Sequence, residues 1–436
     1  MTTPEQHPWA SHRMRIQRAE LARVIEPGDL LGPLTIGTLG VEQTHELIFS
    51  GRRPSREEKH QAAEAASNAG LSRTSTALSS ALDRWRTRTD QADGERDLRV
   101  LHRLGGGLLI PEDAGWPVQL EELYPSDPLG LYFRSSTAGA DHEPQANYQL
   151  ALERLPAPPR SVAVVGSREM TDYGSRAAFE LAEELSSHGV TVLSGGAYGI
   201  DGAAHRGALH PERAPNLASP TSAVLAGGVD RFYPAGNERL LRSVSAEGLL
   251  LSEMAPGSTP TRHRFLHRNR LIAALAAAVV VIEARWRSGA LSTAHHGLGL
   301  GRPVGAFPGS IYSATSAGCH RLLRTTPAEL VTDAADVLEL IAAEQGIQPQ
   351  LQIPALHHRE PTQSRATDHL SDLDQRLYDA LPARRSTTAG KLCGVAGLPM
   401  PQVLAGMSRL QRRGLATGAD GRWSRSETSG RSGAGA

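Results

Sequence analysis

The chain has 436 residues, 39% of them hydrophobic, and balances 46 basic against 46 acidic side chains, so it has the length for two to four domains and a buried core but no bulk charge to draw it onto nucleic acid. No apolar run approaches membrane-spanning length, and residues 1–10 lack the basic start and apolar core of a signal peptide, so the expectation is a cytoplasmic protein with no membrane contact. The only cysteines, Cys319 and Cys393, fall in different predicted domains, which fits a reduced compartment and argues against a cysteine-based metal site.

Residues 9–26 read as a helix that stops at Pro27-Gly28; a second helical pattern, broken by glycine, runs over 39–49, and a third lies between 57 and 85. Residues 1–97 are therefore expected to form a small helical domain, read most simply as a cap without a ligand. From 98 to 133 the pattern changes to Trp116-Pro117, Leu120, Leu123, Tyr124-Pro125 and Leu131-Tyr132-Phe133. Residues 135–160, rich in proline, alanine and charge, read as a loose insertion.

The next stretch alternates apolar strands with amphipathic helices. Val162 to Val165 is a mostly β-branched run that stops at Gly166, as a strand buried on both faces does. A helix over 174–188 follows, with Phe179, Ala182 and Leu185 at helical spacing and Gly189 at its end. Strands over 190–193, 223–226, 249–251, 278–282 and 304–307 follow, with helices over 201–209 and 236–247. Each strand ends in small or polar residues: Ser194-Gly195-Gly196, Gly227-Gly228, Ser252-Glu253, Glu283-Ala284 and Pro308-Gly309. This is the pattern of an α/β protein with a Rossmann-like, doubly wound parallel sheet, whose ligands bind at the carboxyl ends of the strands. The first turn lacks G-x-G-x-x-G, and no P-loop motif occurs anywhere, which argues against an ordinary dinucleotide or nucleoside triphosphate site. Gly166, Ser167 and Arg168 instead offer close approach, a hydroxyl and a guanidinium, a set that suits a phosphate oxygen.

Between 262 and 270 four arginines, two histidines and Phe265 sit just after a strand end and a proline-punctuated loop. Single-strand binding needs that mixture, cations for the phosphates and an aromatic face for a base. Burial is the competing reading for Phe265. For Arg268 and Arg270 it is pairing at a helix start with Glu253 or Glu283, with one arginine structural and the other facing ligand. Ser288-Gly289 opens a helix whose free N–H groups suit a phosphate, which keeps Ser288 in the candidate set, although an N-cap serine with no ligand is the simpler reading. His295-His296 diverge on a helix and lack a partnered carboxylate, so no metal site is expected. Lys59 and Lys391 are the only lysines; GC-rich coding bias explains most of that, yet arginine is also the better residue for bidentate phosphate contacts and for stacking.

Residues 346–370 read as a linker and 426–436 as a disordered tail. Between them, helices over 373–381 and 387–395 precede a third opened by Pro399 and Pro401, carrying Val403, Leu404, Met407 and Leu410 on one face. Residues 415–423 around Asp420-Gly421 read as a hairpin. Three helices and a hairpin make 371–425 a winged-helix domain, which reads duplex DNA with its third helix or binds a protein partner.

Taken together, Val164-Val165-Gly166-Ser167-Arg168, Ser194-Gly195-Gly196-Ala197-Tyr198-Gly199-Ile200-Asp201, Ala204-His205-Arg206-Gly207-Ala208-Leu209 and Tyr233-Pro234 resemble the DprA/Smf family. So do Ser252-Glu253, Phe265 with Arg268-Asn269-Arg270, Glu283-Ala284, Ser288-Gly289 with Thr293-Ala294, and Pro308-Gly309, all in the family's order across 98–341. The resemblance implies a core over 98–345 that binds single-stranded DNA and loads the RecA recombinase onto it during natural transformation. It implies no catalytic residue, cofactor or metal. It also implies that Leu131-Tyr132-Phe133 is an added edge strand. A homodimer through the core is implied as well, with Gly318-Cys319-His320-Arg321-Leu322-Leu323 at the end that carries the dimer contact, although burial within the monomer explains its leucines equally well. A base- or backbone-contacting role falls on Phe265 and a cationic contact on Arg262 and Arg168. The full expected nucleic-acid set is Gly166, Ser167, Arg168, Ser194, Gly195, Arg262, Arg264, Phe265, Arg268, Asn269, Arg270 and Ser288. The chain departs from the family where Leu266-His267 replaces the proline that follows the aromatic, and where His320 replaces an asparagine. The alternatives are a nucleotide- or nucleoside-phosphate-hydrolysing enzyme of related fold, whose P-G-G-x-G-T-x-x-E signature Pro308-Gly309-Ser310-Ile311 fails, and a regulator acting through the winged helix. The enzyme alternative leaves one paired-carboxylate arrangement to consider, Glu253 with Glu283.

Overall fold

The structure, a computed structural model, describes residues 10–71, 77–135, 144–156, 160–211, 214, 217–344, 370–382, 386–419 and 421–426. The chain divides into two compact units, Met1–Leu351 and Gln352–Ala436.

In the first unit six helices precede the bulk of the sheet: α1 (His12–Val24), α2 (Leu31–Leu39), α3 (Val41–Phe49), α4 (Arg56–Asn68), α5 (Ala77–Arg86) and α6 (Gly94–Arg103). The second sequence pattern resolves into α2 and α3, which meet at Gly40, where φ is +85° and the helix cannot continue. Two antiparallel strands follow, β1 (Gly106–Leu109) and β2 (Leu131–Arg134), then α7 (Pro144–Arg154). The stretch expected to be a loose insertion thus contains a helix. Ala151 and Asn147 are its buried face, and the Tyr148 hydroxyl donates to the Leu108 carbonyl at 3.2 Å. Residues 136–143 and 157–159 of that stretch lie outside the described residues.

The α/β alternation then runs β3 (Ser161–Val165), α8 (Asp172–Ser187), β4 (Thr191–Ser194), α9 (Ile200–Ala208), β5 (Thr221–Val224), α10 (Glu238–Glu247) and β6 (Leu249–Ser252). It continues with α11 (Arg262–Ala274), β7 (Ala278–Val281), α12 (Ala290–Gly299), β8 (Val304–Ala306), α13 (Ala317–Thr325), β9 (Glu329–Leu330) and α14 (Ala334–Glu344). The nine strands lie in the order β1-β2-β6-β5-β4-β3-β7-β8-β9. From β6 to β9 every pairing is parallel, and β1 and β2 are added antiparallel at one side. Leu131-Tyr132-Phe133 is therefore an inner strand, with β1 outside it. The chain moves outward from β3 through β4, β5 and β6, then returns to the other side of β3 as β7. That reversal makes the β3–β7 junction the topological switch point, where an open sheet of this kind leaves a crevice.

Both faces of the sheet are covered, and strand alternation assigns the layers. Ala163, Val165, Val279 and Val281 pack with α11 and α12, while Val162, Val164 and Val280 pack with α8, α9 and α14. At the antiparallel side, Leu108, Tyr132 and Leu250 join Leu21, Val24, Leu47 and Trp85 in one apolar cluster. The N-terminal helices therefore close the same core and lie in the same compact unit. Arg15 of α1 donates to Asp113 at 2.7 Å, and Arg18 donates to Glu112 at 2.5 Å.

The second unit has α15 (Asp372–Ala380), β10 (Thr387–Thr388), α16 (Ala389–Ala396), α17 (Met400–Arg412), β11 (Ala416–Ala419) and β12 (Arg422–Arg425), with strand order β10-β12-β11. Val403, Met407 and Leu410 of α17 are buried, whereas Leu404 is exposed. Arg409 pairs with Asp374 at 2.7 Å and holds its carboxyl below the usual range. The expected linker and tail lie outside the described residues except for Leu370 and Ser426, and Asp420 lies outside them as well.

A buried histidine gives the core a test. The Thr221 hydroxyl donates to the Val192 carbonyl, so it accepts from the His205 Nδ1–H at 2.7 Å. His205 Nε2 is buried with no partner, and burial, together with the charges of Arg268 and Arg206, pushes the pKa down to about 3. The unfolded chain binds a proton at this residue below about 6.5 and the folded chain does not, so stability is lost as pH falls through that window at about 1.4 kcal/mol per pH unit. Urea unfolding at pH 6.5 and 5.0 should show about 2 kcal/mol less acid sensitivity for His205→Gln than for the parent; equal pH slopes would mean that the imidazole is not held neutral.

Candidate nucleic-acid interface

The carboxyl ends of β3, β4 and β7 frame a cleft of about 850 Å³, with an adjoining apolar recess of about 420 Å³ at the end of β5. The first turn is fixed by backbone contacts across the switch point. Ser167 N–H donates to the Glu283 carbonyl at 2.7 Å, and the Ser167 carbonyl accepts from Ile200 N–H at 3.1 Å. Gly166 meets Ile200 and the Glu283 carbonyl so closely that a Cβ would lie 2.6 Å and 2.9 Å from them. With its backbone tied down, this turn sends the exposed Arg168 side chain over the cleft.

The stretch read as a cluster following a loop is the start of helix α11, capped by Thr261, whose hydroxyl accepts from Arg264 N–H. Helical spacing sorts its side chains. Arg262, Phe265, Arg268, Asn269 and Ile272 recur at intervals of three and four and line the cleft. Arg264 and Arg270 point elsewhere. Arg264 donates to Glu26 at 2.7 Å and to the Thr259 carbonyl at 2.8 Å, which ties α11 to the N-terminal helices. Arg270 forms a buried ion pair with Glu253 at 2.6 Å. Of the two arginines left open by the sequence, Arg270 is the one held in structural pairing, and its partner is Glu253.

Arg268 is buried beneath the cleft and donates to the carbonyls of Gly195, at 2.9 Å, and Val224. Burial pushes its pKa down to about 10, with Asp201 opposing that shift, so it stays charged at neutral pH. Asp201 accepts from Gly195 N–H at 3.2 Å and Ala197 N–H at 3.4 Å; burial raises its pKa, and Arg268 pulls it back. The Gly195 N–H and carbonyl are both engaged internally. The buried Ser194 hydroxyl likewise donates to the Val164 carbonyl at 2.7 Å. Neither residue turns a polar group into the cleft, and Gly195 instead lines the apolar recess. Asn269 donates to the Gly289 carbonyl at 3.1 Å and shapes the loop before α12, while the Ser288 hydroxyl accepts from Ala290 N–H at 3.4 Å. Both line the cleft.

Phe265 is half-buried, an intermediate between the platform and core readings. The Arg168 guanidinium lies 4.6 Å from its ring centre, Arg268 5.9 Å away, and Tyr233 6.1 Å away in a tilted contact. Glu283 is buried and accepts from Thr171 and Thr315 hydroxyls at 2.7 Å and 3.0 Å, so it holds the strand-end loops together. Glu253 follows β6 and Glu283 follows β7, four strand spacings apart, or about 19 Å. That separation excludes the paired-carboxylate arrangement considered from the sequence.

Five arginines and two acids, Glu169 and Asp201, line the cleft. Arg168, Arg262 and Arg287 have no carboxylate partner among the described residues, and Arg285 is held by Glu169 at 2.8 Å. A chain with no net charge thus concentrates positive charge at its switch point. A profile of the family described as DNA recombination-mediator protein A matches residues 107–342, more than half of the chain. The chain belongs to this family, the DprA/Smf proteins. The putative DNA processing protein DprA of Mycobacterium tuberculosis is 44% identical over 328 residues, covering 75% of this chain and 79% of that protein. The DNA processing protein DprA of Streptococcus pneumoniae is 37% identical over 226 residues, covering 52% of this chain and 71% of that protein. An X-ray structure of DprA from Streptococcus pneumoniae matches with a TM-score of 0.54 and 27% identity, over 76% of this chain and 98% of that one.

In this DprA/Smf chain the sequence reading missed Arg285, Arg287 and the Tyr198 and Tyr233 rings, all of which line the cleft or its recess. Arg285-Trp286-Arg287, immediately before Ser288-Gly289, was the available signal: cations interleaved with an aromatic at a strand end. Glu253→Ala leaves Arg270 as an uncompensated buried charge and should lower stability by about 3–5 kcal/mol in denaturant titrations. Arg168→Ala, which removes an exposed side chain, should change stability by less than about 0.5 kcal/mol. Comparable losses for the two variants would contradict the division into structural and cleft-facing arginines.

Proposed function

We propose that the chain binds single-stranded DNA along the cleft at the ends of β3, β4 and β7, as a recombination mediator and not as an enzyme. The observation that carries this reading is the set of unpaired guanidiniums, Arg168, Arg262 and Arg287, around the half-buried Phe265. Cations track phosphates regardless of sequence, and an aromatic ring accepts any base. Arg262 also stands in the first turn of α11, at the positive end of its dipole, a placement that a bound phosphate offsets. The adjoining recess, lined by Tyr198, Phe232, Tyr233 and Phe265, has the size and apolar character to take a base whose phosphates lie in the cleft. The names of the relatives and of the family, DNA processing and recombination mediation, agree with this reading.

The finer parts of the proposal rest on the family resemblance. Residues 98–345 act as the DNA-binding core, 1–97 as its helical cap, and 371–425 as an accessory winged helix. The bound strand is handed to the RecA recombinase, and two chains pair through the core. The homodimer reading is supported by β9, which pairs only with β8 among the described residues and leaves Leu330 56% exposed. The hydrolytic alternative has less support, because Asp201, Glu253 and Glu283 are all engaged in structural contacts.

Titrating labelled oligothymidylate tests the cleft. Arg168→Ala should weaken binding and flatten the dependence of log affinity on log salt by roughly 0.7. Phe265→Ala should cost about 1–3 kcal/mol of binding. Parent-like affinity of both variants at every salt concentration would rule the cleft out. A chain ending at Glu344 should keep most of the single-strand affinity, whereas loss of binding in it and retention by residues 371–436 alone would move the activity to the C-terminal unit.

A further inference from the structure

Arg285, Trp286 and Arg287 lie in the loop between β7 and α12, with three residues between them and the end of the strand. The two arginines line the cleft and the tryptophan between them does not. Trp286 turns to α13, where the Arg321 guanidinium lies 4.8 Å from its ring centre. The ring is nonetheless 57% exposed, so with Arg321 against one face it keeps a face open to solvent. Arg321 has no carboxylate partner among the described residues. The position is held firmly. Gly318 N–H donates to the Ala284 carbonyl at 2.7 Å, and a Cβ at Gly318 would lie 2.7 Å from the Arg285 carbonyl. His320 Nε2–H donates to the Gly309 carbonyl at 3.1 Å, which joins the start of α13 to the loop after β8 as well. That loop exposes Tyr312 by 92% on the same carboxyl edge of the sheet.

A lone exposed aromatic needs no explanation. Here, however, the ring is backed by Arg321, which has no carboxylate partner among the described residues, and flanked in sequence by two arginines that line the cationic cleft. Apolar protein partners are poorly served by such a surface, because Arg287 and Arg321 would each lose water without gaining a counter-charge. A polyanion carrying flat bases meets both needs at once. We propose that Trp286, backed by Arg321, is a second base-stacking station for the single strand held in the cleft, so that the DNA track crosses the end of β7 towards β8. This inference rests on the cleft being the single-strand site. It adds a length requirement that the cleft alone does not impose, since only a strand long enough to leave the cleft reaches the second ring.

The full-length chain would be titrated with oligothymidylates of about 4 and about 12 nucleotides, the span that single-strand sites of one domain cover. Trp286→Ala should weaken the longer ligand by roughly five- to hundredfold and leave the shorter unchanged, while Trp286→Phe stays within about threefold on both. Arg168→Ala should weaken both lengths. Tryptophan emission of the parent should be quenched by the longer ligand, and most of that quenching should be missing in Trp286→Phe. Thermal melts of Trp286→Ala matching the parent would establish that the fold is intact. Parent-like binding of the longer ligand by Trp286→Ala, alongside weakened binding by Arg168→Ala, would overturn the second station and leave the cleft standing; it is also the result expected if the ring docks a protein. Equal weakening of both lengths by Trp286→Ala would overturn the station too, since the ring would then belong to the cleft. Unchanged binding by Arg168→Ala would remove the cleft reading and the inference with it.

Discussion

The site depends on the buried guanidinium of Arg268. It reaches from α11 beneath the strand ends to the carbonyls of Gly195 and Val224, which close β4 and β5. A buried charge of this kind is tolerable only when polar partners surround it, and the carbonyls and the nearby Asp201 carboxylate supply them. The result is a helix pinned to the sheet at one point along its length. Because helical residues three and four apart share a face, pinning Arg268 inward also fixes Phe265 and Arg262 over the cleft. Gly195 is required by the same contact, since a Cβ there would overlap the guanidinium.

Much of this was legible in the sequence, for reasons that differ by element. Strands β3 to β8 were visible because burial on both faces turns a strand into a short apolar run, and because each run ends at residues small enough to form a turn. Helix α11 was visible only from about Arg268, because its first turns, Arg262-His263-Arg264-Phe265-Leu266-His267, have almost no apolar face by which to register a helical period. Without that start of the helix there was no way to divide its arginines. Once it is known, the division follows from spacing alone: Arg268 lies three residues beyond Phe265 and shares its face, whereas Arg264 and Arg270 do not. The same gap explains Ser194 and Gly195. The glycine-rich sequence marks a strand-end turn correctly, but whether its polar groups face a ligand or Asp201 depends on a carboxylate whose direction the pattern does not encode. Helices α6 and α7 and strand β1 were missed for a third reason: their burial is decided by partners far away in the chain, such as the tie between Leu108 and Tyr148.

The N-terminal helices share one apolar cluster with β1, β2 and β6, and their polar ties converge on the approach to α11. Arg23 donates to the Pro256 carbonyl at 2.9 Å, and Glu26 accepts from Arg264. The loop that delivers α11 to the cleft is thus braced from a layer that contributes nothing to the cleft lining. Such bracing keeps the Phe265 ring in place without filling the groove.

Every cation lining the cleft is an arginine, and the chain's two lysines, Lys59 and Lys391, lie elsewhere. A guanidinium keeps its charge across the physiological pH range and offers no amine to acylate, so neither proton uptake nor lysine acetylation can dim this surface. Its field is a constant of the protein. Under the proposed reading, whatever releases a bound polyanion therefore acts from outside the cleft, through a competing anion or a partner with a stronger hold on the strand.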